Sequence, residues 1–172
     1  DGTKIEANAN KYTWVWKKSC TRNRLKVFGY VSELIDEINS QVLNNYGLKI
    51  ETRDEYAIEY LEEILDKYAE LTSLNPDTFV HGKGRRKTLY QRQYEKLTNY
   101  KERLKTYARH IEICGDNRNS YSKTDHSASF MRIKTDYMGN DQLLPAYNLQ
   151  AAVCDEYIAI IDVKQYASDM EC

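Results

Sequence analysis

The middle of this chain carries three long apolar stripes with helical spacing, and they constrain the fold more than any other feature of the sequence. The first stripe follows steps of three and four residues, close to the heptad repeat of coiled coils, and consists of Leu25, Phe28, Val31, Ile35, Ile38 and Val42. The second consists of Tyr56, Tyr60, Leu61, Ile64, Tyr68 and Leu71. The third consists of Tyr90, Tyr94, Leu97, Tyr100, Leu104, Tyr107 and Ile111. Each stripe predicts an amphipathic helix that buries its apolar face against the other two.

Capping signals and charge predict where these helices end and how they pair. Gly47 and Gly115 suit the positions just after the first and third helices. A Ser/Thr-x-x-Glu capping box at 52–55 is expected to begin the second helix, and Pro76 to follow its end. Residues 51–70 carry eight acidic and two basic side chains, whereas residues 83–109 carry ten basic and two acidic ones. We therefore expect the second and third helices to form an antiparallel hairpin with opposite charges facing each other.

The two ends of the chain have strand-like patterns instead. Ile5 and Ala7 alternate with polar residues after Asp1. Residues 147–154 and 157–165 are β-rich runs separated by 155–156, which predicts a β-hairpin. Residues 157–161 are apolar on both faces, which indicates a strand within a covered sheet. The chain is therefore predicted to be α+β, with sheet segments at 1–10 and 124–172 and a helical insertion at 11–123.

Composition limits the classes to which the chain can belong. Its 172 residues suit one domain, or one domain with an insertion, and the net charge of −1 does not by itself indicate a partner. No apolar run approaches the ~20 residues that span a bilayer. The four cysteines lie far apart without a Cys-x-x-Cys motif, which fits reduced thiols in a cytosol. Both ends look cut, so we expect the chain to be an internal piece of a longer protein.

Asp1 is the strongest candidate for a catalytic residue. A carboxylate at a strand end, followed by Gly2 and Thr3, leaves room for a phosphate and a metal ion. Phosphoryl transfer on DNA uses carboxylates that hold one or two Mg²⁺ ions. The alternative is structural, because Asp-Gly is also an ordinary turn dipeptide.

Basic residues in two regions are candidates for contact with a phosphate backbone, where they would release condensed counterions. The candidates are Lys4, Lys11, Lys17, Lys18, Lys83, Arg85, Arg86 and Lys87. Trp14, Trp16 and Tyr90 lie beside them and could stack on unpaired bases. The alternative is a set of solvated faces whose charge the acidic helix balances.

Other polar motifs favour structural roles. Asp125 and His126 are adjacent, and neighbouring residues of an extended chain point to opposite sides, so an N-cap or turn role for Asp125 is preferred. His81 and His110 have no ligand spacing. No P-loop or dinucleotide-binding glycine motif occurs.

Several segments together resemble the DDE transposases of bacterial insertion sequences that carry an insertion between the first two strands of a ribonuclease-H-like core. The longest is DGTKIEANANKYTWVWKK at 1–18. The others are TD at 124–125, ASFM at 128–131, GN at 139–140, QL at 142–143 and PAYNLQ at 145–150. They frame the chain in the expected order and enclose the helical segment.

The resemblance implies a partial ribonuclease-H-like sheet, made of a strand end and a β-hairpin and interrupted by a three-helix, coiled-coil-like insertion. Asp1 matches the family's first catalytic carboxylate, which would also bind Mg²⁺ or Mn²⁺. The other two acidic residues would lie outside this sequence, since no acidic residue near its end stands in a matching motif. Tyr147 and Asn148 match a recurrent family pattern and would line the cleft.

The resemblance also implies a bacterial, cytoplasmic enzyme that cuts and joins DNA by metal-dependent transesterification, with transposon ends and target DNA as partners. This chain alone would be inactive, because one carboxylate does not organise a two-metal site. The insertion would contact DNA or form a homodimer, and neither a membrane nor a small-molecule substrate is expected. A non-catalytic helical module for protein interaction or dimerisation is the alternative from another class.

Overall fold

The described residues form a mixed fold of three α-helices and small antiparallel sheets, which confirms the predicted combination of helix and sheet. In the computed structural model, residues 2–82, 86–133, 139 and 142–168 are described. The strands are β1 (Gly2–Glu6), β2 (Trp14–Trp16), β3 (Ser120–Ser122), β4 (Ser129–Arg132), β5 (Leu143–Cys154) and β6 (Tyr157–Lys164). The helices are α1 (Lys17–Gln41), α2 (Ile58–Thr72) and α3 (Leu89–Cys114), with short 3₁₀ helices at Leu43–Tyr46 and Pro76–Thr78. No helix among these residues is long and apolar enough to cross a membrane.

The chain divides into two compact units. The helical unit is Arg22–Ala108, and the sheet unit contains the described residues up to Thr21 and from Arg109 onward. Both boundaries fall inside helices, α1 and α3. The predicted insertion at 11–123 also includes β2 and β3, which pair with each other in the sheet unit. Strands of three residues are too short to show a periodic pattern, so the sequence did not indicate this ladder.

One apolar core holds the helical unit together. Its α1 side consists of Val27, Phe28, Val31, Leu34, Ile35 and Ile38. Its other sides consist of Leu61, Ile64, Leu65 and Tyr68 from α2 and Leu97 and Leu104 from α3. Leu25 does not belong to it, because its side chain is 59% exposed. The predicted stripe was wrong at that residue, since Val27 and Leu34 complete the buried face instead.

The predicted helix ends are correct at the C-termini of α2 and α3 and wrong at two other ends. Gly115 adopts the left-handed conformation directly after α3, with φ of 59°. α1 ends at Gln41, and Gly47, with φ of 66°, follows the 3₁₀ helix Leu43–Tyr46 instead. The capping box at 52–55 was wrong, because α2 begins at Ile58 with Ala57 at its N-cap and no side-chain cap. Tyr56 is buried, and its hydroxyl contacts Ser32 Oγ at 2.8 Å and accepts from Arg53 N at 3.0 Å. This contact with α1 holds the segment outside the helix.

Helices α2 and α3 run antiparallel, as predicted. Tyr68 near the end of α2 donates to Gln93 near the start of α3 at 2.6 Å. Lys101 in α3 pairs with Glu62 in the first half of α2 at 3.2 Å. Opposite charges therefore face each other in at least one place along this hairpin.

β5 is the central strand of the larger sheet. β1 pairs with its residues 146–150, β4 with 143–146 and β6 with 148–154, all antiparallel. Ala146 pairs with both β1 and β4, and Gln150 with both β1 and β6, so β4 and β6 share the edge of β5 opposite β1. The predicted hairpin is confirmed by β5 and β6, which are joined at Asp155 and Glu156. β4 was not predicted.

The expected cover over β6 is not provided by the described residues. Ile160 and Ile161 are 64% and 59% exposed, although adjacent residues of a strand point to opposite faces. The prediction of a covered strand is therefore wrong for the part of the chain that the structure describes. The sequence showed that both faces of β6 are apolar. The spacing of apolar residues does not show which other residues, if any, lie against those faces.

Candidate active-site edge and nucleic-acid interface

Asp1, the predicted catalytic carboxylate and metal ligand, lies outside the described residues. The structure describes the residues that follow it. Gly2 pairs with Gln150, Lys4 with Asn148 and Ile5 with Tyr147. A Cβ atom on Gly2 would overlap the Gln150 side-chain amide, so the glycine leaves room for that amide to lie against the strand. The first motif and the PAYNLQ segment are therefore neighbours on one sheet.

Asn148 is fully buried beside this pairing. Its Nδ2 donates to the carbonyl oxygens of Tyr166 and Ser168 at 3.2 and 3.4 Å, and its Oδ1 accepts from Gln150 Nε2 at 2.9 Å. The side chain therefore holds the segment after β6 against β5. In the described residues Asn148 acts as a positioning group, whereas the sequence suggested a place in the lining of a cleft.

Tyr147, the other predicted cleft residue, is half-buried and donates a hydrogen bond to Asp125 Oδ2. Asp125 Oδ1 accepts from Ser127 N at 3.0 Å. The bond from Tyr147 is the main reason why the pKa of Asp125 is lowered, and it raises the pKa of Tyr147. Asp125 therefore closes a turn, as preferred from the sequence, and ties it to β5.

The described residues do not fit a divalent metal ion on their own. They contain no group of three or more His, Cys, Asp or Glu side chains placed to hold one. Asp162 is engaged by Lys164 at 2.6 Å, and both oxygens of Asp125 accept hydrogen bonds. Asp169 and Glu171 lie outside the described residues.

Three of the predicted phosphate-contacting lysines have protein partners. Lys11 pairs with Glu6 at 2.9 Å and Lys87 with Glu95 at 2.5 Å. Lys17 Nζ donates to Gly115 O at 2.5 Å, near the end of α3. A lysine that already has a partner must give it up, or share it, in order to contact phosphate.

The remaining predicted cations differ in how exposed their side chains are, and those that the structure describes have no acidic partner within the described ranges. Lys18 and Arg86 are exposed, and neither forms an ion pair with another described residue. Lys4 is half-buried on β1 and likewise has no ion pair there. Lys83 and Arg85 lie outside the described residues. Lys4, Lys11, Lys17 and Lys18 belong to the sheet unit, whereas Arg86 and Lys87 belong to the helical unit.

The tryptophans proposed to stack on bases pack within the sheet unit. The ring of Trp14 stacks on Phe130 with centroids 4.6 Å apart and lies 6.0 Å from Trp16. Trp14 Nε1 also donates to Lys11 O. Trp14 therefore fixes the loop before β2 against β4, a contact that no local pattern in the sequence indicates.

A group of polar and aromatic side chains around Tyr121 was missed by the sequence reading. Tyr121 is buried, its hydroxyl lies 2.5 Å from His110 Nδ1, and its ring meets His126 edge-on at 5.2 Å. Burial is the main cause of a lowered pKa for His110, with Lys123 contributing. These residues share no motif and lie on α3, on β3 and in the loop after β3, so only the fold brings them together.

Arg118, next to this group, has a structural role. Its guanidinium donates to the carbonyl oxygens of Cys114 at 3.3 Å and Ile113 at 2.5 Å, which satisfies the last turn of α3. It also lines a polar cavity of about 310 Å³ with the end of β6. These contacts satisfy Nε and one terminal nitrogen of the guanidinium, whereas Nη1 is buried without a hydrogen-bond partner among the described residues.

Comparison with known proteins gives no relative from which a function could be transferred: no family model, no curated protein and no solved structure matches the chain.

Proposed function

We propose that the chain is part of a DDE transposase, an enzyme that cleaves and joins DNA with divalent metal ions. One observation supports this most. The segments that carry the resemblance are far apart in sequence, yet 2–6 pairs with 146–150, and 129–132 pairs with 143–146. These segments therefore adjoin one another in one sheet, as parts of a single catalytic core would.

The order of the strands supports the same proposal. β1, β5 and β6 lie side by side in the sequence order of the first, second and third core strands. The helical unit falls between the first and second of them in the chain. In this proposal the sheet is the beginning of a ribonuclease-H-like core, and the helical unit is its insertion.

The roles of single residues follow from this placement. Asp1 contributes one carboxylate ligand for Mg²⁺ or Mn²⁺, and the other acidic ligands come from outside this sequence. When bound, the metal would activate the attacking oxygen and stabilise the leaving one. The described residues position the strand that follows Asp1 through its pairing with β5, in which Gly2 lies opposite Gln150 and Lys4 opposite Asn148.

DNA contact is assigned first to the cations without acidic partners. Lys18 and Arg86 are exposed and carry charge that no described acidic residue neutralises within ion-pair distance. Lys11, Lys17 and Lys87 would make weaker contributions, because each has a partner in the protein. Cations that neutralise phosphates release counterions, so affinity should fall steeply with salt.

The test is metal-dependent cleavage of transposon-end DNA by the full protein. Asp1→Asn should abolish cleavage in Mg²⁺ while leaving DNA binding in place. Asp54→Asn is the matched control, because Asp54 is exposed in the loop before α2. Cleavage that survives Asp1→Asn would refute the catalytic assignment.

A second candidate function is a helical interaction module without catalysis. It is favoured by the helical unit, which is compact and has its own apolar core. The two functions differ in their response to Lys18→Gln. A DNA-binding protein should lose affinity and some salt dependence with this variant, whereas a protein-docking module should not respond.

A further inference from the structure

The outward face of α1 in the helical unit carries a second heptad-like pattern. Arg22, Lys26, Gly29, Glu33 and Asp36 follow one another at steps of four, three, four and three residues, so they share one face of the helix. All five are exposed. Two cations therefore precede a central glycine, and two carboxylates follow it.

Gly29 is unexplained by packing inside the unit. A Cβ atom added there would meet nothing within 4 Å. Glycine in the middle of an exposed helix lowers helix stability, and it is favoured where another backbone approaches closely. No described residue fills this space, so Gly29 leaves room for the backbone of another chain.

On this face the basic residues lie before Gly29 and the acidic residues after it, and this separation makes the isolated helix less stable. Arg22 and Lys26 are like charges four residues apart, as are Glu33 and Glu37, and such pairs destabilise a helix. Among the described residues of the helical unit, the one ion pair made by α1 joins Glu37 to Lys96, at 3.7 Å. The two cations and the carboxylates of Glu33 and Asp36 are left for another partner.

Apolar surface accompanies the charges. Leu25 is 59% exposed and lies one turn before Gly29. Tyr30 is 43% exposed, and its ring stacks on Tyr100 with centroids 6.1 Å apart, which fixes its position. An approaching helix would therefore meet a glycine flanked by two large apolar side chains.

We propose that this face of α1 binds the same face of a second copy, with the two helices crossing antiparallel at Gly29. Arg22 and Asp36 each lie seven residues from Gly29, about 10.5 Å along the axis. Lys26 and Glu33 lie three and four residues from it. Antiparallel crossing therefore places each cation against a carboxylate of the partner copy, twice over, as two-fold symmetry requires.

A second copy fits this face better than a nucleic acid does. A phosphate backbone would be attracted by Arg22 and Lys26 but repelled by Glu33 and Asp36 further along the same stripe. A contact one helix wide is smaller than the ~1,200 Å² of stable complexes, so the dimer is weak and reversible. This inference does not rest on the proposed function.

The test uses the 172-residue chain and sedimentation equilibrium at low salt. Arg22→Glu with Lys26→Glu makes the stripe wholly acidic, and Glu33→Lys with Asp36→Lys makes it wholly basic. Each variant alone should associate at least ~10-fold more weakly than the natural chain, because like charges then face each other. Their equimolar mixture should recover association as a heterodimer. Lys49→Glu with Lys105→Glu is the control, since it changes the charge equally at exposed sites elsewhere.

Gly29→Leu tests the crossing point separately. It should abolish association while leaving the unfolding midpoint unchanged or higher, because leucine favours the helix and the site has room. A mixture that stays monomeric, or a Gly29→Leu chain that still associates, would overturn the proposal. A DNA-contact role would show itself differently: the acidic variant would lose DNA binding, the basic variant would gain it, and mixing would have no effect.

Discussion

The core of the helical unit and the strand β6 of the sheet unit bury their apolar side chains to very different degrees. In the helical unit one core joins all three helices, and Ile38 within it has no exposed surface. In the sheet unit β6 leaves Ile160 64% exposed. A helix completes its apolar face with neighbours that are close in sequence, whereas a strand needs layers from distant segments or other chains. The helical unit thus contains its own core, while β6 presents surface for something else to cover.

Alanine substitution of two isoleucines, one in each unit, should show the largest difference in stability. Ile38→Ala should destabilise the helical unit by about 2–5 kcal/mol, because it removes a fully buried side chain and leaves a cavity. Ile160→Ala should change stability by less than about 0.5 kcal/mol, because the side chain is mostly in solvent already. Urea unfolding followed by far-ultraviolet circular dichroism measures both. Equal losses would mean that β6 is covered in solution and would remove the contrast.

The same contrast explains which parts of the fold the sequence could predict. The stripes of α1, α2 and α3 and the turn at 155–156 are local patterns, and the structure has each of them. β4 and the β2–β3 ladder depend on pairing between distant segments, which no short window contains. Leu25 fits the helical period, yet it lies outside the core, because period alone does not set the edge of the buried face.

The helical core also contains a buried polar pair, which gives a second test. Tyr68 donates to Gln93 Oε1 at 2.6 Å, and both side chains are about 1% exposed. Tyr68→Phe should cost about 1–3 kcal/mol, because the Gln93 oxygen is then buried without a donor. Tyr107→Phe is the control within the same unit, since the structure gives its hydroxyl no hydrogen bond. An effect no larger than the control's would show that water reaches Gln93.

A smaller test concerns the start of α2, where local sequence signals and tertiary contacts disagree. Ala57 has N-cap geometry with φ −73° and ψ 150° but no side-chain acceptor. Ala57→Asp should stabilise the helical unit by about 1 kcal/mol by accepting from a free N–H of the first turn. Thr52→Ala should have no effect, because the predicted capping box lies outside the helix. A loss of about 1 kcal/mol from Thr52→Ala would instead restore the capping box.

The candidate site was less predictable than the fold. Asp1 and the basic residues could be named from motif and composition, but their partners could not. Lys11 and Lys87 were proposed for phosphate, and the fold places Glu6 and Glu95 against them. The His110–Tyr121 contact gave no signal at all, because it joins a helix to a strand through side chains that no motif links. The number of charged residues along a sequence does not show which of them lack a partner in the fold and can therefore bind phosphate.

The smallest expected effect is in the sheet unit, where the Tyr147 hydroxyl donates to the carboxylate of Asp125. This bond lowers the pKa of Asp125 in the folded state below its unfolded value, which is about 3.9. Its stabilisation is therefore complete above the unfolded pKa and is lost as pH falls through the folded one. Tyr147→Phe should cost about 0.5–1 kcal/mol near neutral pH, a small amount because Asp125 is partly exposed.

That difference between the natural chain and Tyr147→Phe should shrink below about pH 4, where the carboxyl of the variant becomes protonated first. Urea unfolding at a series of pH values measures it, and Tyr157→Phe serves as a control because Tyr157 is 76% exposed. A difference that stays constant down to pH 3 would mean that the hydroxyl does not distinguish the carboxylate from the neutral acid. The bond would then hold the turn at 125–128 against β5 by geometry alone.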